Sequence, residues 1–308
     1  MPVESRNFRS HYLEKVGLRG STDDKKVLES QILNEDVIDH TKLAHFAAKF
    51  EVPAAHRIDV WKLLLGVSSL NSEAREFVEQ QRQEQYELLY RALGTMRRLS
   101  STEPEVPDCV DLVRMSLLEQ SKLMGDECGH LDRQAPKLAI GRRLLDMCPS
   151  PVDAYWLTKS FDSLLASKEE QSDDFYTQLV AYLNNDDFWK AISLKDWYRS
   201  AMASLFNQET LQKLWDKIIS GCMQIMVYTF VEVLLSLKSH WYDDFGSVTD
   251  LDIADKLIAW VNQLSDDMQN VIVMRAEQKC IQSGGLFRNR SSSNARDAQK
   301  RASVKADQ

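Results

Sequence analysis

A chain of 308 residues with 44% hydrophobic and 27% charged side chains has the mix of an ordinary globular protein and the length to bury a substantial core. Its formal charge of −8 disfavours nucleic acid as the main ligand, because affinity for a phosphate backbone needs clustered Lys and Arg, so proteins are the expected partners. The five cysteines (Cys109, Cys128, Cys148, Cys222, Cys280) are odd in number and lack a C-x-x-C pair, and no H-E-x-x-H is present, which fits reduced thiols in the cytosol and offers no metal or cofactor site.

Helical periodicity runs through the chain and no period-2 alternation of β-branched residues appears, so the predicted fold is all-α, in two lobes and without a sheet. The first thirty residues are charged and lack the apolar run of a signal peptide, and residues 1–44 read as an N-terminal helical extension. A long helix is predicted from about Asn71 to Leu99, with Ala74, Phe77, Val78, Leu88, Ala92, Met96 and Leu99 on its apolar face. Its middle, Glu79 to Gln85, is polar all round and is expected to project beyond the core. Phe77, Tyr86, Leu89, Tyr90 and Leu93 cannot all face a core that takes Leu88, Ala92 and Met96, which makes them either a candidate partner-docking stripe or a seam with a neighbouring helix of the same domain.

A loop from Ser100 to Asp108, carrying Pro104 and Pro107, precedes a helix near Cys109 to Gln120, and Asp126 to Arg133 is a second irregular stretch. All seven prolines lie at or before Pro151, which leaves the C-terminal half free of helix breakers. Asn207 caps a predicted helix whose Leu211, Leu214, Trp215, Ile218 and Ile219 share one face and which Ser220-Gly221 ends. The next helix, about Met223 to Leu237, is apolar except for a stripe of Gln224, Glu232 and Ser236, and is expected at the centre of the C-terminal lobe rather than in a membrane. A helix over 266–283 follows. Residues 284–308 are expected to be a disordered basic tail, in which Lys300-Arg301-Ala302-Ser303 looks like a basophilic kinase site.

The adjacent acids Asp186-Asp187, Asp243-Asp244 and Asp266-Asp267 read as caps or solvated loop residues rather than divalent-cation sites. Two motifs are more specific. Val52-Pro53-Ala54-Ala55-His56-Arg57-Ile58-Asp59-Val60-Trp61 leads into an apolar run ending at Gly66, and Leu214-Trp215-Asp216-Lys217-Ile218-Ile219-Ser220-Gly221 follows much later. Together they resemble the opening and closing signatures of the TBC domain, the helical module of Rab GTPase-activating proteins, over about residues 45–265.

The resemblance implies an arginine finger in an I-x-x-D-x-x-R-T motif and a glutamine in Y-x-Q-G-M. The first motif aligns with Leu88-Leu89-Tyr90-Arg91-Ala92-Leu93-Gly94-Thr95, so glycine stands where the arginine belongs. The second aligns with Asp132-Arg133-Gln134-Ala135-Pro136, which keeps only Gln134. A GTPase activator must meet the charge on the transferring phosphoryl group with a cation, a contribution of about 10³ to 10⁵ in rate, and Gly94 offers none. Arg97 and Arg98 lie about one turn further on and are the only nearby substitutes; Arg91 is expected to pair with Glu87. The resemblance implies that the arginine of the first signature lies in the fold rather than in the active site, so Arg57 is read as making a partly buried ion pair, with Asp216 one possible partner, against a lone exposed Arg57. Trp61 and Trp215 are read as core anchors.

Within the family the chain is similar to the small subunits that stand beside hamartin and tuberin in the tuberous sclerosis complex, on Ser5-Arg6-Asn7-Phe8-Arg9-Ser10, Leu18-Arg19-Gly20 and the two runs above. This implies a noncatalytic scaffold with no cofactor, bound to a hamartin-like coiled coil and only indirectly to tuberin. The complex would inactivate the small GTPase Rheb and restrain TOR signalling. The protein would be cytoplasmic, without a transmembrane segment, and recruited to lysosomal or vesicle membranes through its partners. Two alternatives stand beside it: an active Rab GTPase-activating protein using displaced arginines, and a pseudo-enzyme that binds a small GTPase without accelerating it.

Overall fold

The structure, a computed structural model, describes residues 28, 32–100, 107–123, 131, 133–168, 194–241 and 253–282. The helices are α1 (His40–Lys49), α2 (Arg57–Leu64), α3 (Ser72–Thr95), α4 (Cys109–Glu119), α5 (Ala135–Met147), α6 (Pro151–Ser167), α7 (Leu194–Arg199), α8 (Gln208–Ile219), α9 (Gln224–Trp241), α10 (Ile253–Gln263) and α11 (Asp266–Gln282). Among the described residues one antiparallel bridge, Val37 to Asn71, is the only extended pairing and there is no strand. The predicted segments at 1–27, 101–106, 124–130 and 283–308, and the pairs Asp186-Asp187 and Asp243-Asp244, lie outside the described residues.

Local chemistry sets the ends of these helices. Asn71, Asp108, Ser150 and Asn207 each accept a backbone N–H at a helix start, satisfying donors that have no partner within the helix. Asp108 and Asp111 form a reciprocal capping box on α4. Gly221, at φ 103, takes the left-handed position that ends α8, and Cys222 N–H returns to the Lys217 carbonyl (3.0 Å).

Packing divides the helices into two groups. In the first, α3, α4, α5 and α6 stack on one another with α7 closing against α5 and α6; in the second, α8, α9 and α11 pack together with α1 against α8. α2 touches α1, α6 and α8, and so joins the groups. Its Trp61 meets Trp215 of α8 with ring centroids 5.9 Å apart, and Trp215 in turn meets Phe161 of α6 edge-on at 5.1 Å. All three side chains are fully buried. The aromatic contacts therefore cross the seam and fuse both groups into one core.

Glu232, on the polar stripe of α9, is buried and ion-paired with Lys279 of α11, the helix that covers α9. A carboxylate on a helix covered over most of its surface needs a cation beside it. One expectation needs correction here: the polar middle of α3 does not stand clear of the body. Glu79 pairs with Lys62 (3.3 Å), the Arg82 guanidinium lies 4.1 Å over the Trp156 ring, and Gln85 donates to Glu119 (3.0 Å). Long polar side chains reach over the neighbouring helices and cover apolar surface with their stems.

Candidate functional site

Gly94 sits in the last turn of α3 and is exposed. Its backbone needs no glycine: φ is not positive, and a Cβ built there meets only Leu99 Cδ1 at 3.6 Å, an ordinary contact. A side chain at this position would therefore enter solvent beside the end of α3. Thr95 Oγ1 donates to the Arg91 carbonyl (2.9 Å), a bond along its own helix.

The helix closes just beyond. Arg98 N–H reaches the Leu93 carbonyl (3.0 Å) and Arg97 N–H the Gly94 carbonyl (3.0 Å), with Arg97 at φ 55 in the left-handed position usually filled by glycine. The Arg98 carbonyl accepts from Arg114 of α4 (2.8 Å), which ties the turn to the body. Both arginines thus follow a chain reversal rather than continuing the face on which residue 94 lies. Replacing Arg97 with Gly is expected to stabilise the protein by about 1 kcal/mol, by removing the crowding of Cβ in this conformation. Urea unfolding of the variant beside the wild type measures it. Arg91 is exposed, and Glu87 instead accepts from Gln83 (2.7 Å) on the preceding turn.

Gln134 is half-buried and stands at the start of α5, where its carbonyl accepts from Leu138 (2.9 Å) and its side chain makes no capping bond. Asp132 of the same motif lies outside the described residues. Gly94 and Gln134 belong to helices that both pack on α4.

The docking stripe is divided by the fold. Tyr86 and Leu93 are buried, and Leu89 and Tyr90 pack against the core, while Phe77 (65% exposed), Leu88 (61%) and Met96 (45%) face outward. This reverses the predicted faces. Phe77 and Leu88 are eleven residues apart and share one side of the helix, whereas Tyr86 and Leu93, seven apart, share the opposite side. The aromatic side won: Tyr86 stacks on Tyr90 (6.0 Å) and meets Tyr155 of α6 edge-on (5.8 Å), burying more area than Leu88 and Met96 would. Burial pushes the Tyr86 and Tyr155 hydroxyls well above the usual phenol range.

Below this interface Glu119 of α4 accepts from Tyr155 (3.0 Å) and Gln85 (3.0 Å) and pairs with Lys159 of α6 (2.6 Å). Partial burial works against its charge, yet these donors hold its carboxyl below the usual range. Lys62 joins three helices, reaching Glu79 of α3 and Asp153 of α6 (3.1 Å) from α2; burial opposes its charge, but the two acids keep it above the usual lysine range. These groups position α3 and leave its outer side free.

The signature residues meet in the interior. Arg57 Nε donates to both carboxylate oxygens of Asp216 (3.2 and 3.1 Å), its terminal nitrogens donate to Gln212 (3.0 Å) and to the Val52 carbonyl (2.7 Å), and Trp61 Nε1 donates to Asp216 (2.8 Å). Arg57 and Asp216 are 5% and 1% exposed, so the pair belongs to the interior. Sequence spacing did not indicate Gln212 or the Val52 carbonyl, which accept from the arginine's terminal nitrogens. Among the described residues no cluster of three or more His, Cys, Asp or Glu stands ready for a metal ion, and no helix is long and apolar enough to cross a membrane.

No protein-family model matches the chain. It is similar to TBC1 domain family member 7 of Xenopus tropicalis and of Homo sapiens, each 32% identical over 284 residues, covering 88% of this chain and 93% of the relative. The Danio rerio protein of that name is 34% identical over 247 residues, covering 76% of this chain and 82% of its own. Among solved structures, the crystal structure of the Ypt/Rab-GAP domain of Gyp1p superimposes with a TM-score of 0.53, over 84% of this chain and 98% of that one. At 14% identity that likeness carries the fold alone.

Proposed function

This chain belongs to the TBC1 domain family, and we propose that it acts there as a noncatalytic subunit and scaffold of a GTPase-activating assembly rather than as an activator by itself. The observation that carries the reading is Gly94: an exposed position, with room for a side chain, that presents no cation where the family motif places one. The phosphoryl charge would have to be met by another chain. In this reading residues 45–265 form the TBC-like domain, 266–283 its closing helix, and the assembly is of the tuberous sclerosis type. A hamartin-like coiled coil docks on this chain, tuberin carries catalysis on Rheb, and TOR signalling is restrained at lysosomal membranes.

The docking surface moves from the five residues of the stripe to the outward side of α3, which keeps Phe77 and takes in Leu88 about three turns further along. Tyr86, Leu89, Tyr90 and Leu93 act by holding the helix in place. An amphipathic partner helix is suited to such a side, where two apolar anchors stand among Gln81, Glu84 and Arg91. Isolation of the tagged full chain from cells, with identification of what copurifies, tests the reading. Hamartin and tuberin in near-equal amounts are the expected result, and Phe77→Ala with Leu88→Ala should lower their recovery while leaving the Tm unchanged. Recovery of a Rab protein alone, dependent on its nucleotide, would favour the pseudo-enzyme reading.

A further inference from the structure

Two thiols from distant parts of the chain meet in the second helical group. Cys222 follows the turn that ends α8, and Cys280 lies in the last turns of α11, fifty-eight residues away. Their sulfurs are 3.4 Å apart, closer than two non-bonded sulfurs pack without a hydrogen bond, and one S–H donates to the other. Both residues are buried, Cys222 retaining 5% exposure, and neither is in a disulfide.

The meeting is held from both sides. Lys217 of α8 pairs with Glu277 (3.2 Å), three residues before Cys280, and also donates to the Phe50 carbonyl (2.9 Å). Glu232 of α9 pairs with Lys279, the residue next to Cys280. These two ion pairs set the rotation and register of α11, so that Cys280 faces Cys222. The surroundings also divide the thiols into unequal roles. The Cys280 thiol, the Ile225 backbone N–H and the nearby Lys217 ammonium favour a thiolate at Cys222 against burial, whereas its partner, burial and Glu277 keep the proton on Cys280.

We propose that Cys222 and Cys280 are a redox-responsive pair that closes to an intramolecular disulfide under a peroxide oxidant, a covalent staple between the α8–α9 turn and the end of α11. Cys222 thiolate attacks one oxygen of hydrogen peroxide; the O–O bond breaks, and with one proton taken up the products are a sulfenic acid and water. Cys280 sulfur then attacks the sulfenic sulfur; the S–S bond forms, the S–O bond breaks, and the Cys280 proton leaves with the hydroxyl as a second water. In sum two thiols and one hydrogen peroxide give one disulfide and two waters. The sulfurs must approach by about 1.4 Å to reach bonding distance, a movement within reach of a terminal helical turn and two χ1 rotations. A dithiol reductant reverses the reaction.

A disulfide here would close a loop of about sixty residues and fasten α11 to the body. The test uses the full-length protein, treated with hydrogen peroxide, blocked with an alkylating reagent and digested without reduction. The expected product is one linked species joining the peptides that carry Cys222 and Cys280, with loss of alkylation at both, recovery after dithiothreitol, and a Tm about 5 °C above the reduced form. Cys222→Ser should abolish both the linkage and the shift. The proposal is overturned if both thiols stay open to alkylation, if either links to Cys109 or Cys148, or if Cys222 advances to a sulfinic acid while Cys280 remains a thiol. Because the wild type supplies each of these readings, a variant that folds poorly does not decide the result. Hamartin recovery bears on the docking reading and leaves this one untouched.

Discussion

Single-turnover GTP hydrolysis by Rheb or by a panel of Rab proteins is expected to run at the intrinsic rate in the presence of the isolated chain. On the proposed reading the missing contribution is that of the arginine finger, about 10³-fold or more, equivalent to roughly 4 kcal/mol of transition-state stabilisation. Gln134, half-buried at the start of α5, can orient a water but cannot neutralise phosphoryl charge. Arg97 and Arg98 are the residues to exclude. They lie beyond the reversal that ends α3, and a catalytic cation displaced by even 1 Å loses much of its effect. The assay compares the wild type with the Arg97→Ala, Arg98→Ala double variant and with Gly94→Arg. The last should fold, since position 94 is exposed, its φ suits any residue, and replacing glycine near a helix end is neutral or favourable. Stimulation by the wild type that disappears in the double alanine variant would show an active enzyme and overturn the scaffold reading.

Replacement of Arg57 by Met is expected to cost about 3 kcal/mol at pH 8 and clearly less at pH 5. The variant leaves Asp216 fully buried with Trp61 Nε1–H as its remaining side-chain donor. Burial pushes the Asp216 carboxyl up to about 6 even with Arg57, Trp61 and Lys217 working in the other direction. A folded value above the unfolded one means that this group favours the folded state fully below about pH 4, and that the contribution fades as pH rises through about 6. Without Arg57 the folded value rises further, so the fading continues to higher pH and the deficit relative to wild type grows. Urea unfolding at pH 5 and pH 8 reads the difference. A deficit that is equal at both, or larger at pH 5, would mean that Arg57 acts through packing alone.

The limits of α3, α4 and α8 were legible in the sequence because they depend on contacts within a few residues. Asn207 reaches Thr210 N–H, Asp108 and Asp111 cap each other, and Gly221 takes the one backbone conformation that other residues resist. The same locality made α8 easy to read, since its five apolar residues fall on one side. Arg57, Trp61, Trp215 and Asp216 were readable as structural residues through the two signatures they belong to, whereas the choice of Asp216 as the partner of Arg57 was made by the docking of α2 on α8.

On α3 locality was not enough. Phe77 and Leu88 satisfy a helical period as well as Tyr86 and Leu93 do, so the sequence holds two apolar sides and no local term chooses between them. Tyr155 of α6 made the choice by offering a ring to Tyr86, and Glu119 of α4 supports it by accepting from Gln85 next to that tyrosine. The juxtaposition of Cys222 with Cys280, and of Lys62 with both Glu79 and Asp153, has the same origin. Each brings together residues separated by many turns, and such contacts arise only when whole helices dock and burial of the larger apolar area fixes their rotation.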